Sequence, residues 1–373
     1  MAVPEKQLKE AEPEQPEVPR PGRGGAGRKV VQVLSDNAIL AALVVIVLLI
    51  AAYDLWEGEG TFLSLSTLRN VLIHNSTRVI VAMGAAFAIL TGGADLSSGR
   101  MVGLAAVLSA SMLQAPDYLR LFYPDLYQTW IWVHMPWATL WLAILLAILA
   151  CTFFGLVNGF VVARFGVAPF IVTLGSYAAI YGINSKYFNM EPNNSQPIGG
   201  LRDDFTGIGT GAIGTGLFSL PYIVLIAAAV TVFMWVLMNK TPFGKNVYAI
   251  GGNVNAAKVS GINVYRTTIA MYAIAGALYG LAGVLEAGRT GGATNNYGNM
   301  YELDAIASCV VGGVSVTGGI GTVPGIVVGV LIFGVINYGL TFINIDPYWQ
   351  QIIKGVIIVA AVSFDVRKYV AKK

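Results

Sequence analysis

Charge, histidine and cysteine are scarce in this 373-residue chain: Asp, Glu, Lys and Arg make up 12% of it, and there are two histidines and two cysteines. Each scarcity removes a class of chemistry. His74 and His134 are far apart in sequence and lie beside apolar runs, so neither a zinc site nor a histidine-based triad has support. Cys151 and Cys309 fall inside apolar runs and read as small hydrophobes rather than a disulfide or a metal pair. The net charge is only +3, and no basic stripe is interleaved with aromatics, which argues against a nucleic-acid partner. No segment carries a phosphate-binding loop ending in Lys-Ser or Lys-Thr. The run from Gly319 through Gly321 places Pro324 where a dinucleotide fingerprint needs its last glycine. The chain therefore reads as neither an enzyme nor an ATP-binding protein by itself, with no cofactor or metal of its own.

What it has in abundance is apolar sequence. Hydrophobic residues make up 55% of the chain, in runs near the length that crosses about 30 Å of hydrocarbon. Ten candidate spans follow, near 38–56, 71–91, 96–114, 137–163, 168–186, 221–238, 267–287, 303–317, 321–343 and 349–365, giving an all-α integral membrane protein. The 303–317 stretch is short for a span, and Asn75 and Arg78 come early in the second, so one of these two is a candidate for a partial or re-entrant element. Residues 1–30, rich in Pro, Glu, Gly and Arg, read as a disordered cytoplasmic tail, and 31–373 as one transmembrane domain. The 38–56 run comes late and is followed by Glu57 and Glu59, unlike a cleaved signal peptide. Alternating the spans from a cytoplasmic start puts Arg100, Arg164, Lys240, Lys245, Lys258, Arg266, Arg367, Lys368, Lys372 and Lys373 inside, with both termini cytoplasmic. Thr91-Gly92-Gly93-Ala94 and Thr290-Gly291-Gly292-Ala293 fall on opposite faces in this topology, as an inverted repeat would place them.

One loop, near 240–266, is too polar for a bilayer. Pro242 and Gly244 can end the preceding helix, and Asn253 can cap a short new one whose last turn closes at Gly261. Lys240, Lys245, Lys258 and Arg266 surround it, so it is expected to project into the cytoplasm and to touch another protein there.

Ionisable groups at membrane depth are costly and need a reason. Arg78, Glu286, Arg289, Glu302, Asp304 and Lys354 all fall near outer helix ends, as structural ion pairs or as a polar vestibule, and Lys354 is expected to pair with Asp304 or Glu302. Asp95 is placed to cap the third helix, or else to reach a polar path. Asn158, Asn184, Asn295, Asn296, Asn337, Tyr338, Trp349 and Gln350 offer neutral hydrogen-bonding groups and aromatic faces of the kind that suit sugars, although asparagines also bond between membrane helices and Trp and Tyr also mark interfaces. The glycines 312, 313, 318, 319, 321, 325 and 329 make a small-residue surface, suited to close packing or to breaking helices beside a polar path.

Three segments together resemble the permease subunits of bacterial monosaccharide ABC importers: Gly92-Gly93-Ala94-Asp95-Leu96-Ser97-Ser98-Gly99, the loop 251–262, and Ala305-Ile306-Ala307 through Val311-Gly312-Gly313 to Gly318-Gly319-Ile320-Gly321. The resemblance runs from about residue 60 to the end; the N-terminal tail and the Gly-rich stretch 199–216 depart from the family pattern. It implies a homodimeric permease in the bacterial inner membrane. A separate ATP-binding subunit would use ATP and Mg, and an extracytoplasmic sugar-binding protein would deliver galactose, a galactoside or glucose. The family's coupling segment matches Gly251, Gly252, Asn253, Ala256, Ala257, Ser260 and Gly261. Candidates for the substrate pathway are Asp95, Asn295, Asn296, Glu302, Asp304, Asn337, Trp349 and Lys354. The competing expectation is an ion-gradient-driven sugar carrier with Asp95 or Asp304 as its coupling carboxylate.

Overall fold

A computed structural model describes residues 38–57, 60–129, 132, 140–191, 193–214, 216 and 219–370. The expected tail 1–30 and His134 lie outside the described residues. The chain divides into two units, Met1–Ala42 and Leu43–Lys373, and the second holds the fold described below.

In chain order the helices are α1 (Ala38–Glu57), α2 (Leu65–Leu90), α3 (Ser98–Met112), α4 (Pro116–Phe122), α5 (Pro124–Thr129), α6 (Leu140–Phe165), α7 (Pro169–Phe188) and α8 (Asp203–Thr210). A two-stranded antiparallel ribbon, β1 (Ala212–Ile213) and β2 (Leu220–Pro221), precedes α9 (Tyr222–Lys240), α10 (Pro242–Gly252), α11 (Val254–Val259), α12 (Val264–Thr290), α13 (Tyr301–Val311), α14 (Val323–Phe342) and α15 (Pro347–Val370). Each of the ten apolar stretches expected from the sequence contains a helix, although 303–317 is helical only as far as Val311. Five of these helices, α2, α6, α9, α12 and α14, are long and apolar enough to cross a membrane. The chain is a multi-pass, mostly helical membrane protein.

Side-chain caps set many of the boundaries. Ser64 opens α2 by accepting from the Thr67 N–H, Thr322 opens α14 ahead of Pro324, and Asn263 opens α12, which Gly291 closes in the left-handed conformation. At 15 and 11 residues, α3 and α13 extend about 22 and 16 Å, too short to cross the hydrocarbon alone. Each follows a long helix, a Thr-Gly-Gly-Ala turn and a non-helical segment, so the two halves share an order of elements.

Helix α12 is the central post, packed along α6, α3 and α2. Its contact with α6 is backbone to backbone. A side chain at Gly155 of α6 would strike the Tyr272 carbonyl, and one at Gly276 of α12 would strike the Cys151 carbonyl. Small residues are what permit this approach where apolar lipid supplies no hydrophobic drive for helix association. Gly325 and Gly329 on α14 meet Gly312 and Ser308 in the same manner, so this part of the glycine-rich surface serves close packing, while Gly313, Gly318 and Gly319 adopt positive φ in the turn between α13 and α14. By contrast α6, α7 and α9 turn large apolar side chains outward, among them Phe153, Phe160, Ile171 and Phe233.

Candidate functional site

The projecting loop contains two helices where the sequence suggested one. Pro242, expected only to end α9, occupies the first turn of α10, and the Thr241 hydroxyl accepts from the Gly244 N–H at its start. A proline that cannot continue one helix is well suited to begin the next, since its missing N–H is not needed there. Helix α11 follows as expected. Asn253 Oδ1 accepts from the Ala256 N–H at 3.0 Å, and Gly261 (φ 82°) lets the Gly261 and Ile262 N–H groups return to the Lys258 and Ala257 carbonyls.

Gly252, Asn253, Ala256, Ser260 and Gly261 are exposed, as are Val254 and Val259, the latter at 90%. Ala257 is buried. Gly251 is likewise a joint rather than a surface, since a side chain there would run into the Leu90 carbonyl at the end of α2. The same carbonyl accepts the Gly319 N–H at 2.8 Å, and the Tyr248 hydroxyl donates to the Gly321 carbonyl at 2.9 Å. Burial holds the Tyr248 hydroxyl above the ordinary phenol range, so it stays a donor. The loop is thus fastened both to the end of α2 and to the 312–322 turn that joins α13 to α14.

A connected set of charges lies at the middle of α2, the last turn of α12 and the first turn of α13. Glu286, 3% exposed on α12, accepts from Arg289 (2.6 Å), the Thr77 hydroxyl (2.9 Å) and the Tyr301 hydroxyl (3.0 Å). Arg78 lies over the Tyr301 ring, 5.3 Å from its centroid, and 3.9 Å from Asp304, whose Oδ2 also accepts from Lys354 at 3.3 Å. The expected Lys354–Asp304 pair is therefore present, with Arg78 as a third member that spacing did not reveal. Glu302 is buried two residues earlier; its Oε2 lies against Gly99 and has no hydrogen-bond partner among the described residues.

The remaining pathway candidates separate. Asp95 does not cap α3: Ser97 stands at the N-cap, while the Asp95 carboxylate accepts from the Ser97 N–H (2.9 Å), the Ser97 hydroxyl (2.6 Å) and the Tyr279 hydroxyl of α12 (3.0 Å). An aspartate two residues ahead forms its own turn, and the long tyrosine, passing over Gly84, supplies the third donor. Asn295 donates to Ser185 and its carbonyl accepts from Asn184, bridging to α7, whereas Asn296 and Trp349 are exposed. Asn337 on α14 has its side-chain amide buried without a partner among the described residues, as is Asn75 Oδ1 on α2.

Arg100 is the residue that the charge count misplaced. Rather than marking an interface, it is 7% exposed in the first turn of α3, with its guanidinium 4.6 and 4.3 Å from the ring centroids of Tyr177 and Tyr181 on α7. Its signal was present in the sequence, as an arginine entering an apolar helix and two tyrosines one turn apart on another, but no local pattern says that those helices meet.

A multi-helix membrane protein with polar groups in its interior and a stiff helical loop fastened to the helices that carry them is built as a permease component. Comparison with known proteins agrees. Residues 67–362 match the family described as "Branched-chain amino acid transport system / permease component", and the chain belongs to it. It is 49% identical over 346 residues to the galactose/methyl galactoside import permease protein MglC of Haemophilus influenzae, covering 92% of this chain and 98% of that one. Against the protein of the same name from Escherichia coli K12 it is 48% identical over 340 residues, 91% of this chain and 96% of the relative. The ribose import permease protein RbsC of Bacillus subtilis is 34% identical over 310 residues, 83% and 87% of the two chains. No solved structure matches the chain. It is a transport subunit, not an enzyme.

Proposed function

We propose that the chain is the membrane-spanning subunit of an ATP-binding-cassette importer that brings a monosaccharide, galactose or a galactoside foremost, into a bacterial cytoplasm. The observation that carries this reading is near-full-length similarity, at 48–49% identity, to proteins named as galactose import permeases. In this reading the ten helical stretches are ten spans of the inner membrane in an inverted-repeat arrangement, with both termini and the α10–α11 loop in the cytoplasm. Two copies pair, a separate subunit binds ATP and Mg, and an outer binding protein delivers the sugar.

The loop supplies the coupling. An ATPase closing on the exposed face of α11, through Asn253, Ala256, Val259 and Ser260, pushes α10. That push reaches the Leu90 carbonyl and the 312–322 turn through Gly251 and Tyr248, and so moves α2, which carries Arg78 at its middle, and α13, which carries Glu302 and Asp304 at its far end. A binding protein that supplies the affinity lets the membrane path hold sugar weakly, as rapid release requires. Of the two coupling carboxylates of the competing carrier reading, Asp95 is held by three hydrogen bonds and Asp304 is paired with Arg78 and Lys354, which favours the importer.

Uptake by sealed proteoliposomes tests this. With binding protein outside, and the ATPase subunit present with ATP inside, galactose should accumulate. Uptake that follows an imposed proton or sodium gradient and ignores ATP would refute the proposal.

A further inference from the structure

Two buried groups in the interior, at the first turns of α3 and α13, have hydrogen-bonding capacity that the fold does not use. Arg100 spends its Nη2 on the Tyr177 hydroxyl (2.5 Å) and Asn299 Oδ1 (2.9 Å), while Nη1 and Nε have no partner among the described residues. Glu302, whose Oε2 is also unpartnered, lies against Gly99, the residue preceding Arg100. A buried guanidinium edge and a buried carboxylate oxygen left open are each costly. The charges offset each other only in part, since no ion pair within 4 Å joins them among the described residues. Structure alone does not account for keeping both.

The surroundings are those of a site. Tyr177 and Tyr181 fix the guanidinium by its face, leaving Nε and Nη1 free to donate. Tyr181 is 38% exposed, so the cluster reaches the outer edge of the described fold. Arg100 stands at the start of α3 and Glu302 at the start of α13, on two different helices, so a change in their relation opens or closes the gap.

Given the sugar-permease reading above, on which this rests, we propose that Arg100, Glu302 and the Tyr177–Tyr181 pair form an internal recognition point for a neutral sugar. Arg100 Nε and Nη1 each donate to a hydroxyl oxygen, Glu302 Oε2 accepts a hydroxyl proton in a hydrogen bond, and the tyrosine rings border the apolar face of the ring. Nε and Nη1 point in different directions, so they offer two separate donors to a polyhydroxylated ring, where a lysine offers a single point.

The test is the number of sugar molecules imported per ATP hydrolysed, in proteoliposomes holding the permease and its ATPase, with the binding protein fully loaded so that capture does not limit. Arg100→Gln and Glu302→Gln should each lower that ratio by about tenfold, the loss expected for a charged hydrogen bond, and Arg100→Lys should lie between wild type and Arg100→Gln. Galactose lacking one ring hydroxyl should be imported less well than galactose by wild type, with the difference shrinking in one of the two Gln variants. An unchanged ratio in either variant overturns the proposal, and so does an equal loss for galactose and all its deoxy analogues. If Arg100→Gln does not reach the membrane folded, Glu302→Gln decides by the same criteria. A wild-type permease that imports no sugar at the expense of ATP would instead overturn the function proposed above.

Discussion

Asp304 faces two cations, and that asymmetry makes a quantitative prediction. At an effective dielectric of about 20, one carboxylate attracts Lys354 at 3.3 Å by about 5 kcal/mol and Arg78 at 3.9 Å by about 4 kcal/mol, before desolvation is counted. The Lys354 and Arg78 side chains keep 23% and 26% exposure, so solvent screens much of this. Lys354→Met leaves Asp304 its arginine and should cost about 1 kcal/mol. Asp304→Asn strands two like charges on α2 and α15 beside each other and should cost about 3 kcal/mol, as breaking a buried pair does. Combining the two should recover part of the loss, because only Arg78 is then unpaired. Thermal unfolding in detergent, followed by fluorescence size-exclusion, should therefore rank wild type above Lys354→Met, then the double variant, then Asp304→Asn. Equal destabilisation by both single changes, or strictly additive losses, would refute the three-charge reasoning.

Ala256→Arg should leave the unfolding temperature within a degree or two of wild type and abolish ATP-driven uptake, because the side chain is exposed on α11; normal uptake would remove this face from the coupling contact. Ala257→Arg should lower the unfolding temperature as well, since that residue is buried within the loop. Gly251→Val should be harsher still, by at least ~2 kcal/mol, because its branched side chain meets the Leu90 carbonyl, and a stable variant with normal uptake would contradict the joint. Tyr248→Phe should cost about 1 kcal/mol by losing the bond to the Gly321 carbonyl, measurable in the same unfolding assay.

How much of this was legible in the sequence follows from what is local. Apolar length marks a helix wherever it occurs, so each of the ten stretches contains one, and caps act within four residues, so Asn253 and Gly261 bound α11 as their chemistry requires. The Lys354–Asp304 pair was legible because few ionisable groups occur at membrane depth and each needs a partner. What was not legible depends on which helix faces meet. Arg100 counted as an interfacial charge because hydropathy does not reveal that the first turn of α3 lies against Tyr177 and Tyr181. Gly251 and Ala257 matched a family segment beside Ala256, but only packing shows that the first two face inward. Asp95 scored as a cap by its neighbours in sequence, while Tyr279, distant along the chain, claims its second oxygen.

Helix α11 is only six residues long, well below the length at which a helix holds together in water unaided. Its own side-chain cap is Asn253, and the helices on either side, capped by Thr241 and Asn263, and the seat of Gly251 on the end of α2 hold it in place. The portable unit is therefore the whole stretch 241–263 together with its seat. A synthetic α11 peptide should be shapeless, and a chimera that exchanges α11 alone between related permeases will carry the letters of the contact without its form.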